Sequence, residues 1–278
     1  HRRVHEGGPR ARRHRRVSRA RKRLLVLGGL LLAWLALLRW GNDVAIAFED
    51  DAPSRSHGTP GNGRLENGKR LPSRGDNFRA YSSLGTLVGR NAVHHAVRDS
   101  VVDAYAALAS SHPDTRYVYA ETGWPSGGRF RPHRTHRNGM AVDFHVPVTG
   151  ADGRSRWLPA YPWNQWGYGL EFDADGRLGG LRIDFDAIAA HLLALDEAAR
   201  GHGLRIEVVI FDPPLHAALF AAEGGDRLVA EVEARLDLRG DLVPSEAARE
   251  VARLVLSQRP DGTPVAIQRA LGTSAVDL

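Results

Sequence analysis

The chain has 278 residues, 38 Lys or Arg against 32 Asp or Glu, a formal net charge of +6 and no cysteine. That length suits one or two domains and is enough to bury a full core. The lack of cysteine excludes disulfides, thiolate metal ligands and a cysteine nucleophile. The overall charge hides an asymmetry: residues 1–23 carry eleven Arg or Lys and one Glu, a local +10 that leaves −4 for everything after them. A mildly acidic remainder argues against a nucleic-acid surface on the folded part.

Residues 1–23 are arginine-rich and nearly free of apolar side chains. Such a segment reads as a nucleic-acid arm or as the basic cytoplasmic flank of a membrane segment. The apolar run next to it favours the flank. Leu24 to Leu38 (LLVLGGLLLAWLALL) is fifteen residues without a charge, closed by Arg39-Trp40. It is short for a helix crossing a hydrocarbon core of about 30 Å, and residues 24–40 suit a signal-peptide h-region or a short signal anchor. The arginine asymmetry predicts an N-terminus in the cytoplasm and the rest across the membrane, exported to the periplasm or anchored in the inner membrane. Ala45-Ile46-Ala47 has the small-x-small form of a cleavage site, so cleavage after Ala47 and retention as an anchor both stay open. With histidine at position 1, the first residue is not expected to be the translational start.

Residues 41–75 are expected to be a linker, because from residue 48 on they are rich in Gly, Pro, Ser, Asn and charge. Ala92 to Ser110 places Val93, Val97, Val101, Tyr105 and Leu108 at helical spacing. Arg116 to Ala120 (RYVYA) reads as a short strand.

The stretch Gly123 to Val148 (GWPSGGRFRPHRTHRNGMAVDFHVPV) carries the chemistry. Gly127, Gly128 and Gly139 punctuate it, so His133 and His136 are expected on a loop. Ala141 to Val148 alternates like a half-buried strand, with Val142, Phe144 and Val146 on one face and Asp143 and His145 on the other. Loop histidine and strand carboxylate are donors that zinc accepts, and a catalytic zinc takes three protein ligands and leaves one position for water. His136 and Asp143 are therefore the candidate ligand pair. A loop histidine bonding a strand carboxylate with no metal is the plainer alternative. His133 is expected among the surroundings of that pair rather than on the ion. Arg129 suits either a substrate carboxylate or a solvated loop position.

His136 and Asp143, with six residues between them, resemble the first half of the zinc motif of a metallopeptidase group. That group holds lysostaphin-type peptidases, D-Ala-D-Ala dipeptidases and penicillin-insensitive murein endopeptidases. The wider string, PSGGRF followed by His133, His136, Gly139 and Val142-Asp143, is most similar to the murein endopeptidase branch. Further matches lie at Asn67-Gly68, Leu71-Pro72 and Arg205 to Phe211, so the similarity covers roughly residues 60–220. The resemblance implies an α+β fold, a zinc ion (Zn2+) as cofactor, and peptidoglycan peptide cross-links as substrate, cut at the D-alanyl to diaminopimelate bond.

Beyond the central stretch, Trp157 to Phe172 crowds Trp157, Tyr161, Trp163, Trp166, Tyr168 and Phe172 together, either as an aromatic sub-core or as a cleft wall. Asp184 to Gly201 is an amphipathic helix, and Ile206 to Phe211 (IEVVIF) a buried strand ended by Asp212-Pro213-Pro214. Long helices between strands, without a regular βαβ repeat, predict an α+β fold with an antiparallel sheet flanked by helices. A peptidase-like domain is expected over 76–220 and an atypical helical tail over 221–278, with helices at Arg227 to Leu238 and Ser245 to Ser257.

In the resembled group a late His-x-His completes the zinc site. Here the last histidine is His216, and none follows it. Three explanations stand open: a frameshifted tail, a replacement domain in a protein that no longer hydrolyses anything, or a third ligand supplied by His145 or His216. The expected function is a zinc metallopeptidase of the cell envelope acting on peptidoglycan peptides and held to the membrane by its N-terminal segment. The alternatives are a catalytically incomplete envelope protein and a D-Ala-D-Ala carboxypeptidase or dipeptidase.

Overall fold

The computed structural model describes residues 19–237, 256–257 and 264–268. The described chain opens on α1 (Arg19–Ala47), whose span Arg21–Ala47 is long and apolar enough to cross a membrane. Its apolar length is exposed, and by length and composition it can serve as a membrane or signal segment. The helix does not stop at Trp40 but runs through the small-residue stretch to Ala47.

Much of the expected linker is folded. β1 (Arg55–Thr59) and β2 (Asn62–Glu66) form an antiparallel hairpin, followed by β3 (Lys69–Arg70). The Gly- and Pro-rich composition here encodes a tight turn rather than an open tether: Thr59 Oγ1 accepts from the Asn62 N–H at 3.1 Å. Next come β4 (Phe78–Ala80), α2 (Ser83–Leu87), β5 (Ala92–Val93) and α3 (His95–Ser111). α3 starts later than the apolar spacing predicts, because Ala92 and Val93 pair with β3 and His94 caps the helix through its ring.

β6 (Tyr117–Tyr119) pairs parallel with β4 and antiparallel with β7 (Phe144–His145). The antiparallel ladder runs on past both strands. The Ala120 N–H donates to Asp143 O at 2.7 Å, and the Asp143 N–H to Glu121 O at 3.0 Å. This pairing sets Glu121 beside Asp143. The strand expected over Ala141 to Val148 is shorter than its alternation predicts. Pro147 has no N–H to give a ladder and separates β7 from β8 (Val148–Gly150). Nor is it half-buried, since Val142, Asp143, Phe144, His145 and Val146 are all inside.

β8 joins β9 (Ser155–Arg156), β10 (Arg177–Leu178) and β11 (Leu181–Ile183) in a four-stranded antiparallel sheet. α4 (Phe185–Gly201), capped by the Asp184 carboxylate, packs along α3. Val97, Val101, Tyr105 and Leu108 of α3 meet Ile188, Leu192, Leu195 and Ala199 of α4 in one core. Each large apolar side chain there contributes about 1.5–3 kcal/mol by leaving water. β12 (Val208–Ile210) fills the middle of the expected strand 206–211, and α5 (His216–Phe220) and α6 (Gly225–Asp237) pack back on α4. β13 (Leu256–Ser257) pairs antiparallel with β14 (Pro264–Gln268), which runs parallel to β12. The helix expected over Ser245 to Ser257 lies outside the described residues except for Leu256 and Ser257, which are strand. The architecture is mixed α+β, with small, mostly antiparallel sheets and flanking helices.

Candidate metal centre

The loop between β6 and β7 is held by backbone bonds rather than by regular structure. The Gly128 N–H donates to Arg137 O at 2.7 Å, and the Arg137 N–H to Pro60 O at 3.0 Å in the β1–β2 turn. Gly139 has φ +75°, and a Cβ there would stand 2.9 Å from the His94 backbone nitrogen. Only glycine fits both the left-handed backbone and that approach. His136 also sits at positive φ, 68°. A non-glycine residue in that region costs on the order of 1–3 kcal/mol and persists where the surroundings dictate it, often at a functional site.

The strained backbone aims a buried ring. His136 is fully buried and Asp143 is 1% exposed. The His136 Nδ1–H faces the Ala141 carbonyl at 3.3 Å, which leaves Nε2 bare. Nε2 lies 3.2 Å from Asp143 Oδ1, within ion-pair reach but out of line for a hydrogen bond. Two buried polar atoms so placed are satisfied either by the charged pair or by an ion that both can reach. His133 closes the group. Its Nδ1 is 3.9 Å from Asp143 Oδ2, its ring stands edge-on to His136 at 5.3 Å, and one donor atom from each of the three residues falls within 4.8 Å of the others. His133, His136 and Asp143 can thus hold a metal ion. The donor set fits one: two imidazole nitrogens, one carboxylate oxygen, each with its remaining polar atom tied elsewhere.

Those ties come from residues that the spacing of the motif does not reveal. Glu121 Oε2 accepts from His133 Nε2 at 2.6 Å. This bond places the His133 proton on Nε2 and turns Nδ1 toward Asp143, the arrangement in which a carboxylate orients a metal-bound histidine. Glu121 Oε1 accepts from the Tyr81 hydroxyl at 2.7 Å and from Arg90 Nε at 2.6 Å. Arg90 is itself stacked over Phe130 at 4.1 Å. On the other side, the Tyr168 hydroxyl donates to Asp143 Oδ2 at 2.9 Å and accepts from the Glu121 N–H at 3.3 Å.

The electrostatics of the group reflect these contacts. Burial disfavours the Glu121 carboxylate, but hydrogen bonds from His133 and Tyr81 and the charge of Arg90 outweigh it and hold its pKa below the usual range. Burial likewise opposes a charged His136, yet the Asp143 carboxylate more than offsets it and raises the His136 pKa. Burial, reinforced by the charges of Asp143 and Glu121, pushes the Tyr168 hydroxyl well above its ordinary value, so it stays a neutral donor.

The sequence places His133 among the surroundings of the ligand pair, whereas the structure brings it into the group. His145 and His216, the proposed sources of a third ligand, are not in it. His145 is buried beside Tyr168 and Gly167, its ring 5.6 Å from that of Tyr168. His216 stacks on Phe211, and its Nε2 donates to the Phe211 carbonyl at 3.1 Å. Arg129 is exposed on the rim of a cleft that His133 also lines. Part of the aromatic stretch forms the expected sub-core. Trp157, Trp166 and Tyr168 pack on Tyr81, Val118 and Ala120, while Tyr161 and Trp163 stack on each other in the open at 4.6 Å. Compared with protein-family descriptions and with curated proteins, the chain matches none.

Proposed function

We propose that this protein is a zinc-dependent peptidase of the cell envelope that cuts peptide cross-links of peptidoglycan, in the manner of the murein endopeptidases its central stretch resembles. The observation that carries the reading is the convergence of three tied ligand residues, with His136 Nε2 and Asp143 Oδ1 bare, buried and facing each other. Two nitrogens and one oxygen suit zinc and leave a fourth position in a tetrahedral set. When bound there, zinc would supply a water of pKa near about 7 and polarise a scissile carbonyl. The chain's own residues keep that site ready. Glu121 fixes the tautomer and direction of His133, the Ala141 carbonyl does the same for His136, and Tyr168 holds one oxygen of Asp143. Burial of His136 and Asp143 keeps bulk water from competing for them.

The test is cleavage of purified cross-linked muropeptide dimers by the zinc-loaded full chain, read by mass spectrometry. Dimers falling to monomers, with loss of activity in chelator, is the expected result. Release of D-alanine from uncross-linked stems instead points to a carboxypeptidase. A protein with a full zinc complement that cuts neither supports the second reading, an envelope protein with an incomplete peptidase site. That reading is favoured by the position of His216, the last histidine, on the Phe211 carbonyl rather than at the metal group.

The same proposal places the domain at the membrane with α1 retained. Asn42, near the end of α1, is 4% exposed. Its amide donates to Leu71 O at 3.0 Å, and its carbonyl accepts from Asn91 Nδ2 at 3.0 Å. Cleavage after Ala47 removes this buried partner and unwinds a helix already seated on the domain. Intact mass of the membrane-extracted protein is expected to include residues 24–47, and a product beginning at Phe48 would refute retention.

A further inference from the structure

The arginines that alternate with the histidines of this loop have no role in holding a metal. Arg129, Arg131, Arg134 and Arg137 line one wall of a cleft of about 510 Å³, together with Gly61, Pro132, His133 and Thr135. Among the described residues no carboxylate lines it. The guanidinium groups of Arg129, Arg131 and Arg137 fall within nine residues, in a chain whose remainder after residue 23 carries −4. Such a concentration of one sign in a concave surface focuses potential on an anion. Arg137 adds a polar vacancy, since its Nε is buried without a hydrogen-bond partner. The backbone is held at two of these positions. Both backbone groups of Arg137 are bonded, to Gly128 N–H and Pro60 O, and the Arg131 carbonyl accepts from Arg90 Nη2 at 3.0 Å. His133 belongs both to this wall and to the metal group, so a molecule in the cleft lies against the candidate centre.

We infer that this cleft is a subsite for a peptide bearing at least two free carboxylates, held by Arg129, Arg131 and Arg137 while its backbone lies at His133. The inference rests on the proposed peptidase reading for the identity of the ligand, though not for the existence of the anion site. A guanidinium fork matches a carboxylate with two parallel bonds, which is why arginine rather than lysine is the fitting residue.

The experiment titrates the full chain in detergent, metal-free and zinc-loaded, with three probes. They are a synthetic tetrapeptide carrying two side-chain carboxylates and a free C-terminus, its fully amidated analogue, and inorganic phosphate. The acidic peptide is expected to bind in both metal states, to weaken steeply with salt, and to lose roughly ten-fold in affinity in each of Arg129→Gln and Arg137→Gln. Arg137→Lys, which keeps the charge but not the fork, is expected to recover only part of the loss. Equal binding of acidic and amidated peptides, or unchanged affinity in the glutamine variants, overturns the assignment. Phosphate binding tighter than the peptide also overturns it, in favour of a phosphate-bearing ligand. The metal reading fails separately: acidic-peptide binding that survives in a chain unable to take up zinc leaves the cleft and removes the peptidase.

Discussion

Replacing Glu121 by glutamine tests whether His133 is a ligand or a bystander. The side chain keeps its size and loses its charge. Glu121 receives three donors, from His133 Nε2, Tyr81 and Arg90, at 2.6, 2.7 and 2.6 Å. An amide has one acceptor oxygen and a donor NH2. If the NH2 faces His133, it forces the imidazole proton onto Nδ1, the atom that must be bare to bind an ion. If it faces Arg90, two donors oppose each other and a guanidinium with 19% of its surface exposed loses its counter-charge. In the first case the support of His133 fails; in the second the amide oxygen still accepts from His133 Nε2 but as a neutral group, so the support weakens, and loss of such a partner lowers metal affinity by up to about 10–100-fold. Stability should fall as well, by about 1.5–3 kcal/mol, the worth of a hydrogen bond to a charged group. Zinc affinity is read by competition with a chromophoric chelator, and stability by urea unfolding of the metal-free protein. A Glu121→Gln protein that loses stability yet binds zinc as tightly as the parent would refute the reasoning, because His133 would then contribute nothing to the ion.

Three further outcomes rest on single contacts. Tyr168→Phe removes the donor to Asp143 Oδ2 and should weaken zinc binding by up to about ten-fold, the equivalent of about 0.5–1.5 kcal/mol, with secondary structure unchanged by circular dichroism. Gly167→Ala puts a Cβ 2.6 Å from His145 Cε1 at a position with φ +99°, so it should lower stability by about 1–3 kcal/mol, seen as a lower Tm. The raised His136 pKa sets the pH dependence. A folded-state pKa above the unfolded value stabilises the metal-free protein fully below the unfolded value, and that stability is lost as pH rises through the folded value. Zinc competes with the same proton, so zinc affinity should fall as pH drops from roughly 8 to 6, and His136→Asn should flatten the stability profile.

The centre is legible in the sequence in part. The order of glycines, histidines and Asp143 marks the loop and two residues of the group that can hold a metal ion, because left-handed turns and metal donors both leave strong residue signatures. The role of His133 is not legible. It depends on Glu121, and Glu121 reaches it only because residues 120–121 pair with Asp143 across the ladder beyond β6 and β7. Glu121 stands two residues past a short strand, a position that does not itself signal contact with a loop histidine. Tyr168 is hidden among neighbouring aromatic residues, where packing on Val118 and Ala120 selects it from Trp163, which is left in the open. α3 and α4 are readable from apolar spacing because each buries one face. The hairpin of residues 55–66 has the composition of a linker. Its strands are mostly polar and exposed, so they lack the alternation that betrays a strand, and only the Thr59 to Asn62 turn announces it.

The most direct measurement is the zinc content of the metal-reconstituted full chain beside His133→Ala, His136→Ala, Asp143→Ala, His145→Ala and His216→Ala. The account predicts near-stoichiometric zinc in the parent and in the last two variants, and loss of it in the first three. Zinc retained in His133→Ala but lost in His145→Ala or His216→Ala would contradict the ligand set of His133, His136 and Asp143. A parent that holds no more zinc than His136→Ala would remove the metal centre altogether.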